Sequence, residues 1–250
     1  MSHPIPYIDR KQMVEVDRLM IEEYGISLYQ MMEHAGENLA RLIRKEMHVQ
    51  SDPHIVILVG NGNNGGGGLV CGRFLSNWGY RVQILTVGSA DKRKAAPTRH
   101  LQTLKLLGVD MMSVNISDLN SIVDSADLVV DAMIGYGLSG NLSKEVTGII
   151  NLLNASDKLP VIALDAPSGL DVDSGQQQAV VQAQATLTLA LPKKGLASIE
   201  NNRYVGKLFL ADIGVPPQLY AHLGLDVGAV FATESVLQET TRGHFEPVSF

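Results

Sequence analysis

Residues 55–68 read IVILVGNGNNGGGG. An apolar run stops at Gly60, eight residues of only Asn and Gly follow, and LVCGRFL then begins at helical spacing. A buried strand, a Gly/Asn turn and a helix N-terminus make a site for anions, because the helix end carries free N–H groups and partial positive charge. The sequence predicts a backbone cradle in the glycines and a helix starting near Gly68. The Asn side chains add amide groups that donate and accept.

Working outward, strands and helices alternate. Predicted strands are 54–59, 81–87, 111–114, 128–133, 161–165, 185–191 and 208–212. Helical patterns fall near 68–78, 96–107, 116–124 and 143–154. Strand–helix alternation indicates an α/β fold with a mostly parallel sheet covered by helices on both faces. HIVILV and LVVDAM are apolar on both faces, as a doubly covered sheet requires. The first 50 residues are helical in pattern. Asp9 with Gln12 and Ser27 with Gln30 fit capping boxes, and Met13, Val16, Leu19 and Met20 form an apolar stripe.

The 250 residues carry a formal net charge of -6, which argues against a broad nucleic-acid footprint. Hydrophobic residues at 45% supply a substantial core. The single cysteine, Cys71, fits a reducing compartment, and no run approaches the 18 apolar residues of a membrane span. The expectation is one cytoplasmic domain over 1–250, without nucleic-acid or membrane partners.

In open α/β sheets ligands bind beyond the carboxyl ends of the strands. Three strands end in polar, glycine-containing segments: GNGNNGGGG, DAMIGYGLSGN with Asp131, and DAPSGLDVDSG with Asp165. Asp131 reads either as a turn cap or as a buried acid needing a partner or a cation; Asp165 reads as an Asx-turn or a site residue. Ser168 caps a turn or joins the site. Hard oxygens from Asn64, Asp131 and Ser168 suit a hard cation, and no His/Cys set has zinc spacing.

The loop literally matches G-x-G-x-x-G, but no acid stands at the end of the second strand, about 20 residues on. No Gly-Lys-Ser/Thr follows the glycines, which excludes a P-loop. Lys193 and Lys194 read as phosphate ligands or as a solvated strand-end pair. Lys105 and His34 read as surface and helix-packing residues, and Cys71 as a small core residue.

The set of segments resembles the NAD(P)HX epimerases, the YjeF N-terminal domain family. NGNNGGGGLV resembles the family loop GxGNNGGDGLV, and MEHAG its MExAG helix. VDAMIGYG resembles VDAxxGxG, DAPSGLD resembles DxPSGLD, and PKKG resembles PKxG. These segments are spread in the family's order over roughly residues 5–235. The resemblance implies a Rossmann-like three-layer α/β/α sandwich, often a homodimer. It implies interconversion of the R and S epimers of NADHX and NADPHX, so that a dehydratase can restore NAD(P)H. In many bacteria the dehydratase is fused at the C-terminus; a chain ending at Phe250 is expected to lack it.

The resemblance also implies site residues. The substrate-phosphate loop maps to Asn63, Asn64, Gly65, Gly66 and Gly67. A second substrate loop maps to Gly135, Tyr136, Gly137, Leu138, Ser139, Gly140 and Asn141. The substrate-binding and catalytic acid maps to Asp165, and the potassium ligands to Asn64, Asp131 and Ser168. One position departs: Gly67 stands where the family has Asp. Either a helix cap or a ligand-contacting carboxylate is missing. The same domain type also occurs as a non-catalytic partner-binding module, and the departure at Gly67 keeps that alternative in view.

Overall fold

The protein is represented by a computed structural model that describes residues 4–46, 52–156, 159–174 and 179–250. Two helices come first, α1 (Arg10–Glu22) and α2 (Leu28–Glu46). The alternating part follows: β1 (His54–Val59), α3 (Asn63–Asn77), β2 (Arg81–Thr86), α4 (Ala95–Leu106), β3 (Asp110–Ser113), α5 (Ile116–Ser125), β4 (Leu128–Ala132), α6 (Lys144–Asn154) and β5 (Val161–Leu164). Then come β6 (Ala185–Leu189), α7 (Asn202–Val205), β7 (Lys207–Ala211), α8 (Pro217–His222), β8 (Val236–Thr241) and β9 (His244–Pro247).

The nine strands among the described residues form one sheet in the order β3-β2-β1-β4-β5-β6-β7-β8-β9. Pairings from β3 through β7 are parallel; β8 pairs antiparallel with β7, and β9 antiparallel with β8. Successive residues of β1 enter different cores. Ile55, Ile57 and Val59 pack with α2 and α3, while Val56 and Leu58 pack with α5 and α6. A third cluster joins α1 and α8 over Leu210 and Leu237. This is the α/β/α architecture expected from the alternation. Among the described residues no helix is long and apolar enough to cross a membrane.

Side-chain caps mark the starts of four helices among the described residues. Asp9 and Gln12 close a full capping box on α1, and Ser27 and Gln30 pair at the start of α2. Asn115 caps α5 and Ser143 caps α6. The hairpin β8–β9 and helix α8 were outside the sequence expectation. β8 is half-exposed, with Gln238, Glu239, Thr240 and Thr241 diluting its apolar signal.

One expectation is corrected. The glycine run is no open cradle: α3 starts at Asn63, five residues earlier than predicted, with Gly62 as its N-cap. Gly65 to Gly68 are buried helical residues, and none has positive φ. They are glycines because the helix lies flush on its neighbours. A Cβ at Gly65 would sit 2.1 Å from the Gly60 carbonyl oxygen, and one at Gly68 2.5 Å from Ala132 Cβ.

The order reverses at β1. β2 and β3 extend to one side and β4 onward to the other, so the switch point lies between β1 and β4. The carboxyl ends of β1, β4 and β5 stand side by side there, with Leu58 opposite Asp131 and Asp131 opposite Ala163.

The close approach of α3 is testable. Gly65→Ala should lower the free energy of unfolding by about 3 kcal/mol, since only backbone can yield. Gly62→Ala, with nothing within 4 Å of its added Cβ, should cost less than about 1 kcal/mol. Urea unfolding of both variants checks the contrast; equal effects would contradict it.

Candidate active site

A cavity of about 540 Å³ opens at the switch point, walled by α1, α2, the start of α3 and the segments after β4 and β5. That size suits a small-molecule ligand. Because the first intrahelical bond of α3 runs from Gly66 N–H to the Gly62 carbonyl, the N–H groups of Asn63, Asn64 and Gly65 precede it and form the free end. Asn63, Asn64 and Gly67 line the cavity, whereas Gly65 and Gly66 pack inward against Gly60 and Met32.

Asp165 lies one residue past β5, buried, with φ at 69°. The left-handed region is uncommon for a non-glycine residue and stores strain that its surroundings must hold. The carboxylate is fixed on both oxygens: Oδ2 accepts the Tyr136 N–H at 2.7 Å, and Oδ1 takes Lys193 Nζ at 2.5 Å. The following turn also needs Gly169, whose φ is 97° and whose added Cβ would fall 1.8 Å from the Ala179 carbonyl oxygen.

Lys193 corrects another expectation. It is no solvated lysine: its exposure is 0%, and its ammonium also donates to the Leu189 carbonyl (2.7 Å) and Thr188 Oγ1 (3.2 Å). Lys194 points outward and pairs with Asp9 at 2.8 Å. The outward lysine and the inward one follow the main-chain pairing here, where Pro192 and Lys194 both bond to Ile8.

Asp131 is fully buried at the end of β4. Ser168 Oγ donates to its Oδ1 at 2.6 Å and Ser168 N–H to its Oδ2 at 2.7 Å; Met133 N–H adds a bond at 3.2 Å. Burial pushes its pKa up to about 6, against these hydrogen bonds. Asp131 thus caps the turn after β4 through Met133 and is also a buried acid whose partner is Ser168. Nearby, Asn64 donates its amide to the Leu164 carbonyl at 3.2 Å, while its Oδ1 is buried without a hydrogen-bond partner. A Cβ on Gly135 would meet both Asp165 Oδ2, at 2.6 Å, and Asn64 Oδ1, at 3.1 Å, so these two side chains converge on that glycine.

Of the second loop, Gly135, Tyr136 and Gly137 line the cavity; Leu138, Ser139, Gly140 and Asn141 lie outside its lining. Tyr136 reaches back to α1. Its phenol donates to Asp17 Oδ2 at 2.5 Å, and its carbonyl accepts Arg10 Nε at 3.1 Å. Burial raises the Asp17 carboxyl, with the charge of Asp165 acting in the same direction, and burial raises the Tyr136 phenol. Asp17 was missed in the sequence, where it sits beside an ordinary amphipathic stripe. Its only signal is an acid next to Val16 and two positions before Leu19, with Arg18 between them.

Gly67 is the fifth residue of α3, so an Asp there could not be its N-cap. It faces the cavity, and an added Cβ would press on Leu164 Cδ2 at 2.8 Å. Cys71 is a buried core residue whose thiol burial pushes up, and His34 and Lys105 are exposed.

Comparison with known proteins agrees with this picture. The family model described as YjeF-related protein N-terminus matches residues 28–195. An NAD(P)H-hydrate epimerase of Dehalogenimonas lykanthroporepellens is 42% identical, over 85% of this chain and 84% of that protein. A bifunctional NAD(P)H-hydrate repair enzyme, Nnr, of Salinibacter ruber is 32% identical, over 85% of this chain and 41% of its own length. The crystal structure of yeast ynu0 (YNL200c) matches with a TM-score of 0.83 over 94% of this chain and 100% of that one, at 23% identity, and shares the fold. The family model covers more than half of the chain, which is therefore a YjeF-related N-terminal domain. Within that class the chain belongs to the NAD(P)H-hydrate epimerases, which are isomerases.

The buried pair is testable. Lys193→Met leaves Asp165 buried and unpaired and should lower the free energy of unfolding by about 3 kcal/mol. Adding Asp165→Asn should recover part of that loss, because the two changes share one interaction. Additive losses in urea unfolding would show that the pair is not coupled.

Proposed function

We propose that the cavity binds NADHX and NADPHX and interconverts their R and S epimers at the hydroxyl-bearing ring carbon. The observation that carries this reading is the buried Asp165 carboxylate, held at the wall of a ligand-sized cavity beside a free helix N-terminus. The diphosphate belongs at that N-terminus, where the N–H groups of Asn63, Asn64 and Gly65 and the helix dipole favour negative charge. Gly135, Tyr136 and Gly137 line the cavity beside it, with the Asn64 and Asp165 side chains converging on Gly135.

The hydroxyl carbon is bonded to the ring nitrogen. The nitrogen lone pair can expel the hydroxyl and leave a planar carbon, which water re-enters; ring opening and reclosure is the other chemical route. Either route needs a group that moves a proton at the oxygen, and Asp165 is that group. Lys193 and the Tyr136 N–H fix its two oxygens, so its direction is set before substrate arrives.

Asn64, Asp131 and Ser168 would hold a potassium ion. The unpartnered Asn64 oxygen, a buried carboxylate and a hydroxyl are the hard donors such a cation takes. When bound, the ion neutralises negative charge near the diphosphate. The reading further includes a cytoplasmic homodimer and functional coupling to a dehydratase that consumes one epimer.

Asp165→Asn should slow epimer interconversion by about 10²–10⁴-fold while ligand affinity changes little, read by chromatographic separation of the epimers and by titration. Turnover near that of the wild type would refute the assignment. Potassium chloride should raise the melting temperature relative to choline chloride in the wild type, and Asp131→Asn or Asn64→Ala should abolish that difference. The same salt response in all three proteins would place the cation elsewhere.

A further inference from the structure

Inverting a carbon through a planar species needs chemistry on both of its faces. Water must leave from one face and arrive on the other. Asp165 supplies a carboxylate from the end of β5. A second carboxylate lines the same cavity from a different element, Asp17 in the middle of α1.

One residue spans the two. Tyr136 donates its main-chain N–H to Asp165 Oδ2 at 2.7 Å and its phenol to Asp17 Oδ2 at 2.5 Å. The carboxylates are therefore separated by the length of a tyrosine and held at its opposite ends. Arg10 fixes the bridge by donating to the Tyr136 carbonyl at 3.1 Å while pairing with Asp171 at 2.9 Å. The packing of α1 is carried by Met13, Val16, Leu19 and Met20 and does not require an acid at position 17.

Resting on the epimerase reading above, we propose that Asp17, held by Tyr136, is the second acid/base of the reaction and serves the face of the reacting carbon opposite Asp165. For the epimer whose hydroxyl faces α1, the Asp17 carboxyl gives its proton to that hydroxyl. The C–O bond breaks, the nitrogen lone pair forms the C=N bond, and water leaves. A solvent water on the Asp165 side then adds to the planar carbon. Its proton passes to the Asp165 carboxylate as the C=N electron pair returns to nitrogen. One water departs, one enters, and one proton moves from Asp17 to Asp165; turnover in the other direction, or exchange with solvent, restores it.

Oxygen exchange separates this from a structural role. In ¹⁸O-water, each inversion by the wild type should introduce one ¹⁸O, read by mass spectrometry of the separated epimers. In Asp17→Asn, inversion should fall about 100-fold or more, yet the remaining carboxylate still expels and re-adds water on its own face. One epimer then gains label without inverting, and Asp165→Asn should label only the other. Tyr136→Phe keeps both carboxylates but frees Asp17, and should lower inversion about tenfold with substrate affinity retained. Label-free inversion by the wild type would overturn the proposal, because the hydroxyl would never leave. Asp17→Asn protein that inverts at the wild-type rate would overturn it, as would folded Asp17→Asn protein that labels neither epimer. Absence of any inversion in the wild type fails the epimerase reading itself, and is distinct from these outcomes, all of which need an active wild type.

Discussion

Where α3 meets the sheet there is no room for a Cβ. Gly65 and Gly68 bring the helix into contact with the backbone of Gly60 and the side chain of Ala132, at the ends of β1 and β4. Gly60 is pressed in turn on the Met133 carbonyl, 2.0 Å from where its own Cβ would be. This contact sets the helix N-terminus directly on the switch point. Asn64 can then reach down to the Leu164 carbonyl, and Asn63 and Asn64 at the helix start line the cavity. Any larger residue on that helix face would lift the anion-binding end away from the acids beneath it.

The acids are held in different ways, and the differences divide their roles. Asp131 is satisfied by Ser168 and Met133 and has no cationic side chain among its hydrogen-bond partners; its raised pKa expresses the cost of that burial. Asp165 is paired with a fully buried lysine and pinned by a main-chain N–H. Asp17 bonds to a phenol. Three carboxylates at one site would repel strongly if treated alike. Hydrogen bonds, an ion pair and a raised pKa let them coexist, and leave Asp165 and Asp17 facing the cavity.

Much of this was legible in the sequence. Apolar strands such as HIVILV and the two N-terminal capping boxes are local signals, and each lies where the sequence placed it; of the polar segments after β1, β4 and β5, residues such as Asn64, Tyr136 and Asp165 line the cavity, while Leu138 to Asn141 do not. The start of α3 was not, because glycine signals a turn and close packing equally well, and only the neighbouring backbone decides between them. Lys193 read as a phosphate ligand or a solvated lysine, and neither reading reveals the buried ion pair, because its partner lies 28 residues earlier, on another strand end. Asp17 was hidden for a similar reason: helical periodicity shows which residues pack, not which acid meets a tyrosine 119 residues away. The strands β8 and β9 sit at the sheet edge, half-exposed, where alternation is diluted by polar residues.

The chemistry depends on where the ligand lies between these carboxylates. A crystal structure of Asp165→Asn protein soaked with NADHX would measure it directly. The diphosphate should lie on the N–H groups of Asn63, Asn64 and Gly65, with the hydroxyl-bearing ring between residue 165 and the Asp17–Tyr136 pair. A ring bound outside that interval, or a diphosphate away from the start of α3, would contradict it.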